Sequence, residues 1–247
     1  MWGLMIALLS APAHGAGYYF SDLGPRAMGK GTAVIAGVDD LTAQYYNPAA
    51  LVRLEPQVQV QLAGVDQYVK FDRADLDGEE YAPVENQAAP YAIPTFGVSH
   101  DLGIDRLHMM VGFYAPYAPD LSYPADGAQR YTLVDTQLIQ TAFGPSAAYA
   151  VTDWLTVGVG LTWNLLYIEQ ELAVTVDLNP DPQASTDDPD FDVAYRVQSL
   201  DKSEFSGNLG VLVEPAGGSW AVGLSAQPPI ETDGYTSLLR HVSMGKE

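Results

Sequence analysis

Cysteine is absent from this sequence, and both basic residues and long apolar runs are scarce. Without cysteine the chain can form no disulfide bond and no thiolate metal site, and it has no thiol nucleophile. The 11 Lys and Arg residues stand against 31 Asp and Glu, which gives a formal net charge of −20. So acidic a chain lacks the basic footprint that nucleic-acid binding requires. Beyond the N-terminus no segment approaches the ~20 apolar residues of a transmembrane helix, so any membrane-spanning form must be built from strands.

The N-terminus has the pattern of a secretory signal peptide. Residues 2–9 are apolar, and the small residues Ala13 and Gly15 follow at the spacing of a signal-peptidase site. We therefore expect residues 1–15 to be removed and the mature chain to begin at Ala16. The basic segment that usually precedes the apolar stretch is missing, and a buried N-terminal strand or helix is the alternative interpretation.

Period-two alternation dominates the rest of the chain. In the clearest segment, the large apolar residues Val157, Val159, Leu161 and Trp163 alternate with Gly158, Gly160, Thr162 and Asn164. In a soluble sandwich the apolar face would point to the core, whereas in a transmembrane barrel it faces lipid and the small polar face lines the lumen. Seven strands are predicted, at 57–71, 91–101, 106–116, 132–151, 154–177, 191–213 and 219–227.

The predicted connections alternate between short and long. Short turns are expected at 101–105, 152–153 and 214–218, and long connections at 72–90, 117–130 and 178–190. This regular alternation is typical of outer-membrane barrels and is not expected of Greek-key sandwiches. The acidic residues collect in the long connections, which we interpret as a solvated surface; bridging to anionic surface lipid by divalent cations is the alternative.

Residues 16–55 do not alternate and are rich in glycine and alanine. They contain Leu23-Gly24-x-Arg26-Ala27-x-Gly29-x-Gly31, Ala36-x-x-Asp39-Asp40 and Tyr46-Asn47-Pro48-Ala49-Ala50-Leu51. Further along come Ile93-Pro94-x-Phe96-Gly97-Val98, Val111-Gly112-x-x-x-Ala115-Pro116-Tyr117 and Leu155-x-x-Gly158-x-Gly160. These motifs resemble the FadL/TodX family of outer-membrane transporters of long-chain fatty acids and aromatic hydrocarbons.

The resemblance implies an all-β fold, in which an antiparallel fourteen-stranded transmembrane barrel is plugged by an N-terminal hatch. Residues 16–55 would form the hatch and residues 56–247 about the first half of the barrel, so we expect the chain to be cut short at its C-terminus. The implied function is passive transport of hydrophobic small molecules in the outer membrane of a Gram-negative bacterium. The implied surroundings are outer-membrane lipid and lipopolysaccharide, and the full-length protein is expected to be a monomer without cofactor or metal.

Three sets of site residues follow from the resemblance. The hatch motif maps onto Asn47, Pro48 and Ala49, which we expect to control the passage; a simple Asn-Pro turn is the alternative. A lateral opening in the third barrel strand would lie at Ala115, Pro116, Ala118 and Pro119, because proline cannot donate to a strand ladder; alternatively, Pro116 only ends the strand. A nearby surface for ligand capture would comprise Tyr114, Tyr117, Leu121 and Tyr123, with ordinary interfacial aromatics as the alternative.

Other classes of protein fit the sequence less well. An enzyme would need a nucleophile with a positioned base, but Ser99 and His100 are adjacent and so point to opposite faces of a strand. A hydrophilic porin or a purely structural outer-membrane barrel would have no use for a plug rich in small residues. A soluble secreted β-sandwich would bury the apolar faces that a barrel exposes to lipid.

Overall fold

The computed structural model describes residues 23–74, 81–175, 191–215, 217–228 and 235–241. The predicted signal peptide lies outside the described residues, as do the first residues of the predicted hatch, the last two residues of the predicted strand 154–177 and the whole of the predicted connection 178–190. No helix in the described part of the chain is long and apolar enough to cross a membrane.

Three short helices precede the strands. They are α1 (Pro25–Gly29), α2 (Ala43–Tyr46) and a 3-10 helix (Pro48–Arg53). The strands are β1 (Gln57–Val65), β2 (Lys70–Phe71), β3 (Val84–Glu85), β4 (Tyr91–His100), β5 (Leu107–Tyr117), β6 (Asp120–Ser122), β7 (Asp135–Ala150), β8 (Leu155–Thr175), β9 (Asp192–Val213), β10 (Val222–Ala226) and β11 (Tyr235–His241).

The long strands form one antiparallel sheet in the order β1-β4-β5-β7-β8-β9-β10. Each strand pairs with its neighbour along the chain, as in an up-and-down barrel wall, and β11 continues the register of β10 against β9. All seven predicted strands are present. The first ends at Val65, however, and not at residue 71, because Lys70–Phe71 leaves the sheet to pair with Val84–Glu85. Because the long strands are antiparallel neighbours along the chain, the short turns lie at one end of the sheet and the long connections at the other.

The sheet is apolar outside and polar inside. In β1, Val58, Val60 and Leu62 are exposed to 73%, 71% and 71%, while the glutamines between them are half-buried toward the interior. In β8 the large apolar residues that begin at Val157 are exposed, and the small residues that alternate with them are buried. A soluble sandwich would bury this apolar face. The arrangement therefore excludes that alternative and agrees with the barrel wall expected from the sequence.

Residues 23–54, here called the inner segment, lie against the inner face of the sheet. The 3-10 helix contacts β7, β8 and β9, and Ala43, Ala49, Ala50 and Leu51 are completely buried. Small residues dominate both surfaces, so the two backbones approach closely. The main hydrophobic core of the chain is thus the contact between the inner segment and the wall, and not a contact between two sheets.

The strands lengthen toward the end that carries the long connections. β8 and β9 have 21 and 22 residues, about twice the ~9–11 residues that a tilted strand needs to cross a bilayer. At the opposite end, the short turns are joined by an ion pair between Arg106 and Asp153, with an N–O distance of 2.6 Å. Trp154 and Tyr149 flank one of these turns and are exposed, as expected at a membrane interface.

Candidate transport site

Asn47 joins the inner segment to the wall. Its side chain is inaccessible to solvent, and its Oδ1 accepts a hydrogen bond from the Ala49 N–H at 3.1 Å, which caps the 3-10 helix. The Nδ2 group donates to the carbonyl oxygens of Ile35 at 2.8 Å and of Val211, in β9, at 3.2 Å. One amide therefore caps the helix, braces the inner segment and bonds to a wall strand. Pro48, also fully buried, fixes the first turn of the helix.

Two glycines in the wall form the seat for Asn47, Pro48 and Ala49. Gly158 of β8 and Gly210 of β9 are directly paired across the sheet. A Cβ atom on Gly158 would lie 2.2 Å from the Ala49 nitrogen, and one on Gly210 would lie 2.1 Å from Asn47 Oδ1. Neither position has room for a side chain, so the motif packs directly against the backbone of the two wall strands.

Two further amide side chains connect the inner segment to the same wall. Gln44 Nε2 donates to the carbonyl oxygen of Gly144 at 2.7 Å. Asn208 Nδ2 donates to the carbonyl oxygen of Gln44 at 2.6 Å. Both glutamine and asparagine are buried, so these bonds satisfy groups that would otherwise be costly to bury. With Asn47, they anchor the inner segment to β7 and β9.

The wall is incomplete between β4 and β5. The two strands pair from His100↔Met109 to Phe96↔Phe113, and their pairing then stops. If this register continued, Pro94 would face Ala115 and Pro116 would face Ile93. Proline has no N–H to donate, and consecutive pairs of an antiparallel ladder alternate between bonding this neighbour and bonding the other one. One of the two prolines therefore removes a ladder bond between β4 and β5, which weakens their pairing at the gap.

On its other side β5 is also irregular. Its register against β7 shifts between Tyr114 and Tyr117, so that Ala115 and Pro116 together oppose one residue of β7. Such a bulge bends the strand. Ala118 accepts a hydrogen bond from the Tyr91 hydroxyl through its carbonyl oxygen, and Pro119 is fully buried. The residues expected at a lateral opening thus lie together, beside the gap.

Two cavities meet at this gap. The first, of about 270 Å³, lies between the start of the inner segment and strands β1 and β4, and its lining includes Leu23, Met28, Gln61 and Thr95. The second, of about 290 Å³, is lined by residues of the outer face, among them Pro94, Phe113, Ile139 and Thr141. Ile93 and Ala115 line both cavities. A thin barrier of two apolar side chains therefore separates the interior from the outer surface.

The four residues expected to capture ligand lie elsewhere. Tyr114, Leu121 and Tyr123 are buried and Tyr117 is half-buried, and none of the four lines either cavity. The Tyr114 ring packs edge-on against Tyr45 of the inner segment, with 5.2 Å between ring centroids. Ile93 and Pro94 are not among the site residues predicted from the sequence. The proline within a predicted strand was the signal that could have identified them as part of the gap.

A buried ion pair joins two parts of the chain near the long connections. Arg130 and Asp192 are only 4% and 10% exposed, and their side chains meet at 2.6 Å. Arg130 also donates to the Tyr131 hydroxyl at 2.7 Å, and burial raises the pKa of the Tyr131 phenol. The pair ties the connection between β6 and β7 to the start of β9.

The described residues show no arrangement for catalysis or metal binding. Ser99 is buried and donates to the Glu55 carbonyl oxygen, whereas His100 is exposed and accepts from the Leu102 N–H. The two side chains thus point to opposite faces, as predicted. Within the described ranges no three His, Asp or Glu residues are grouped so that they could hold a metal ion.

Comparison with known proteins places these features in a family. The sequence pattern of the family described as "Outer membrane protein transport protein (OMPP1/FadL/TodX)" matches residues 6–238. Over 132 residues the chain is 25% identical to NMB0088, a protein of Neisseria meningitidis serogroup B named for the outer membrane; the match covers 51% of this chain and 28% of that protein.

Two solved structures share the fold. A Pseudomonas aeruginosa FadL homologue superposes with a TM-score of 0.58 at 15% identity, covering 74% of this chain and 46% of its own length. The CymD monoaromatic hydrocarbon channel superposes with a TM-score of 0.56 at 18% identity, covering 89% of this chain and 57% of its own. The chain thus spans about half the length of either structure.

Proposed function

Because this chain belongs to the OMPP1/FadL/TodX family of outer-membrane transport proteins, we propose that it carries hydrophobic small molecules through the outer membrane by passive transport. The family match confirms the resemblance seen in the sequence and the location expected from it, the outer membrane of a Gram-negative bacterium. It also agrees with the expectation of a transporter rather than an enzyme.

The observation that carries the proposal is the pair of cavities that share Ile93 and Ala115. A hydrophobic molecule in the inner cavity is separated from the outer face only where β4 and β5 lack ladder bonds. No backbone pairing has to break when these strands part, so the barrier to sideways exit is small. The route avoids water, which suits a molecule whose transfer into water is unfavourable.

In this proposal the inner segment is a hatch, and Asn47, Pro48 and Ala49 hold it closed. Support comes from their complete burial and from the bond between Asn47 and Val211. The side-chain bonds of Gln44, Asn47 and Asn208 join the inner segment to β7 and β9, and the Leu41 N–H donates to Gln59 of β1. The hatch would therefore block passage straight along the lumen, while the inner cavity stays open to a ligand between Leu23, Met28 and strands β1 and β4.

Ala115, Pro116, Ala118 and Pro119 form the lateral opening in this proposal. For Tyr114, Tyr117, Leu121 and Tyr123, capture of ligand remains a prediction. Their burial favours a supporting role for the wall beside the gap. We place first contact with ligand in the inner cavity, where the apolar side chains of Leu23 and Met28 are available.

Lipid and lipopolysaccharide are the proposed surroundings of the protein in the outer membrane. Outer-membrane lipid would cover the exposed apolar face of the sheet, and lipopolysaccharide would surround the long strand extensions above it. A monomer is proposed for the full-length protein, since a closed barrel leaves no unpaired edge for another chain.

The lateral route can be tested with a single cysteine, because this chain has none of its own. In the full-length protein, Ala115→Cys should transport the hydrophobic substrate normally until the thiol reacts with methanethiosulfonate reagents. Uptake should then fall progressively as the reagent grows larger, and reduction of the mixed disulfide should restore it. The measurement is uptake into cells that retain an intact outer membrane.

The matched control is Ala147→Cys, which lies in β7 and lines neither cavity. Its modification should leave uptake unchanged. Equal loss of uptake at both positions, or no loss after complete labelling at position 115, would rule out exit through this gap.

A further inference from the structure

The two cavities contain carboxylates but no positive charge. Asp66 is the charged residue among those that line the inner cavity, and Asp120 is the charged residue among those that line the outer one. Neither set of described lining residues includes Lys, Arg or His. The remaining side chains are aliphatic, aromatic, amide or hydroxyl.

Such a lining treats neutral and anionic ligands differently. A carboxylate that leaves water for an apolar cavity needs a cation or several hydrogen-bond donors to replace its hydration. Here it would instead meet the negative charges of Asp66, which is exposed at the rim of the inner cavity, and of the half-buried Asp120, and like charges repel each other. A neutral hydrophobic molecule has no such cost.

The charges at the end of the sheet with the long connections also disfavour an anionic ligand. The chain carries a net charge of −20, and three basic residues at the end with the long connections have carboxylate partners. Lys70 pairs with Asp72, Arg130 with Asp192, and Arg196 with both Glu169 and Glu171. An approaching anion would therefore meet a negative field before it reached the inner cavity.

We propose that this path admits uncharged hydrophobic molecules and rejects carboxylates, and that Asp66 and Asp120 are its specificity-determining residues. The inference rests on the transport function proposed above. The inner cavity, at about 270 Å³, exceeds the ~150 Å³ that suffices for benzene, so it can hold a single substituted ring. The substrate class is thus neutral molecules of monoaromatic size, and not ionised fatty acids.

The test compares two probes of the same size, ethylbenzene and 4-ethylbenzoate, in cells that display the full-length protein. At neutral pH the benzoate is ionised. Protein-dependent uptake of ethylbenzene should exceed that of 4-ethylbenzoate by about tenfold, the effect expected of one partly screened charge pair. Uptake is normalised to the amount of folded protein in the outer membrane.

Substitutions then assign the selectivity to residues. Asp66→Asn and Asp120→Asn should each raise the ratio of 4-ethylbenzoate uptake to ethylbenzene uptake severalfold. The control is Asp105→Asn, an exposed carboxylate in a short turn at the opposite end of the sheet, which should leave this ratio unchanged. If neither probe depends on the protein, the proposed function fails. If both are taken up equally and the variants change nothing, the charge selection is overturned while transport stands.

Discussion

Gly158 marks the closest approach of the wall to the inner segment, and the substitution Gly158→Ala gives a sharp prediction. The added methyl carbon would lie 2.2 Å from the Ala49 nitrogen and 2.4 Å from the Pro48 carbonyl carbon, where ordinary contact begins at 3.4 Å. The inner segment must therefore move away from β8 by about 1 Å. The obstructing atoms belong to the backbone and cannot rotate aside as a flexible side chain would.

The expected cost is that of overpacking a close-packed interface, about 1–3 kcal/mol. It arises in the anchored part of the proposed hatch, so displacement should also weaken the bond between Asn47 and Val211. Two readouts follow: urea unfolding of the full-length protein in detergent should show the loss of stability, and planar-bilayer recordings should show ion conductance that the parent protein lacks.

Gly64→Ala is the matched control, because that glycine also lies in a wall strand but has nothing within 4 Å of the added carbon. Its free energy of unfolding should stay within about 0.5 kcal/mol of the parent value, and its conductance should be unchanged. The reasoning about the glycine seat would be refuted by a Gly158→Ala protein that is as stable and as tightly closed as the Gly64→Ala control.

Two other predictions concern the gap and the buried ion pair. The double substitution Pro94→Ala with Pro116→Ala returns the one ladder donor that the gap lacks, so β4 and β5 should pair further, with uptake reduced and stability raised by about 0.5–1.5 kcal/mol per bond formed; reduced stability with normal uptake would contradict this. Arg130→Met leaves Asp192 buried without its cation and should lower the free energy of unfolding by about 3–5 kcal/mol, whereas Arg26→Met, at an exposed pair, should cost less than about 1 kcal/mol.

The wall could be predicted from sequence because its signal is local. Alternation depends on neighbours two positions apart, and every large residue of the β8 pattern proved to be outside and every small one inside. The direction of the faces was also predictable, because the alternation of short and long connections is typical of an outer-membrane barrel. The end of β1 at Val65 was not, because alternation continues through residues that pair with β3 instead.

The seat and the gap depend on pairing between distant residues. Gly158 and Gly210 looked like two more small residues of a lumen face, and only the register of β8 against β9 brings them side by side beneath Asn47. The sequence predicts a break in a strand at Pro116, but the second proline beside the gap, Pro94, lies in a segment that is predicted as an ordinary strand. A single proline suggests a strand end; that two prolines lie on facing strands beside the gap is visible only from the register.

The height of the gap in the wall determines where a molecule would be released. Tyr114, just before the gap, pairs with Ala142, which pairs with Asn164, nine residues beyond the start of β8 at Leu155. At about 3.3 Å per residue and a tilt of about 45°, that is roughly 21 Å above the turn flanked by Trp154. A hydrocarbon layer of about 30 Å extends past this level, so the gap opens among the lipid tails of the leaflet on the side of the long connections. Release there would be partition from the protein into the hydrocarbon of the membrane. The point at which net flow stops would therefore depend on the concentration of substrate dissolved in that leaflet more than on its concentration in the periplasm.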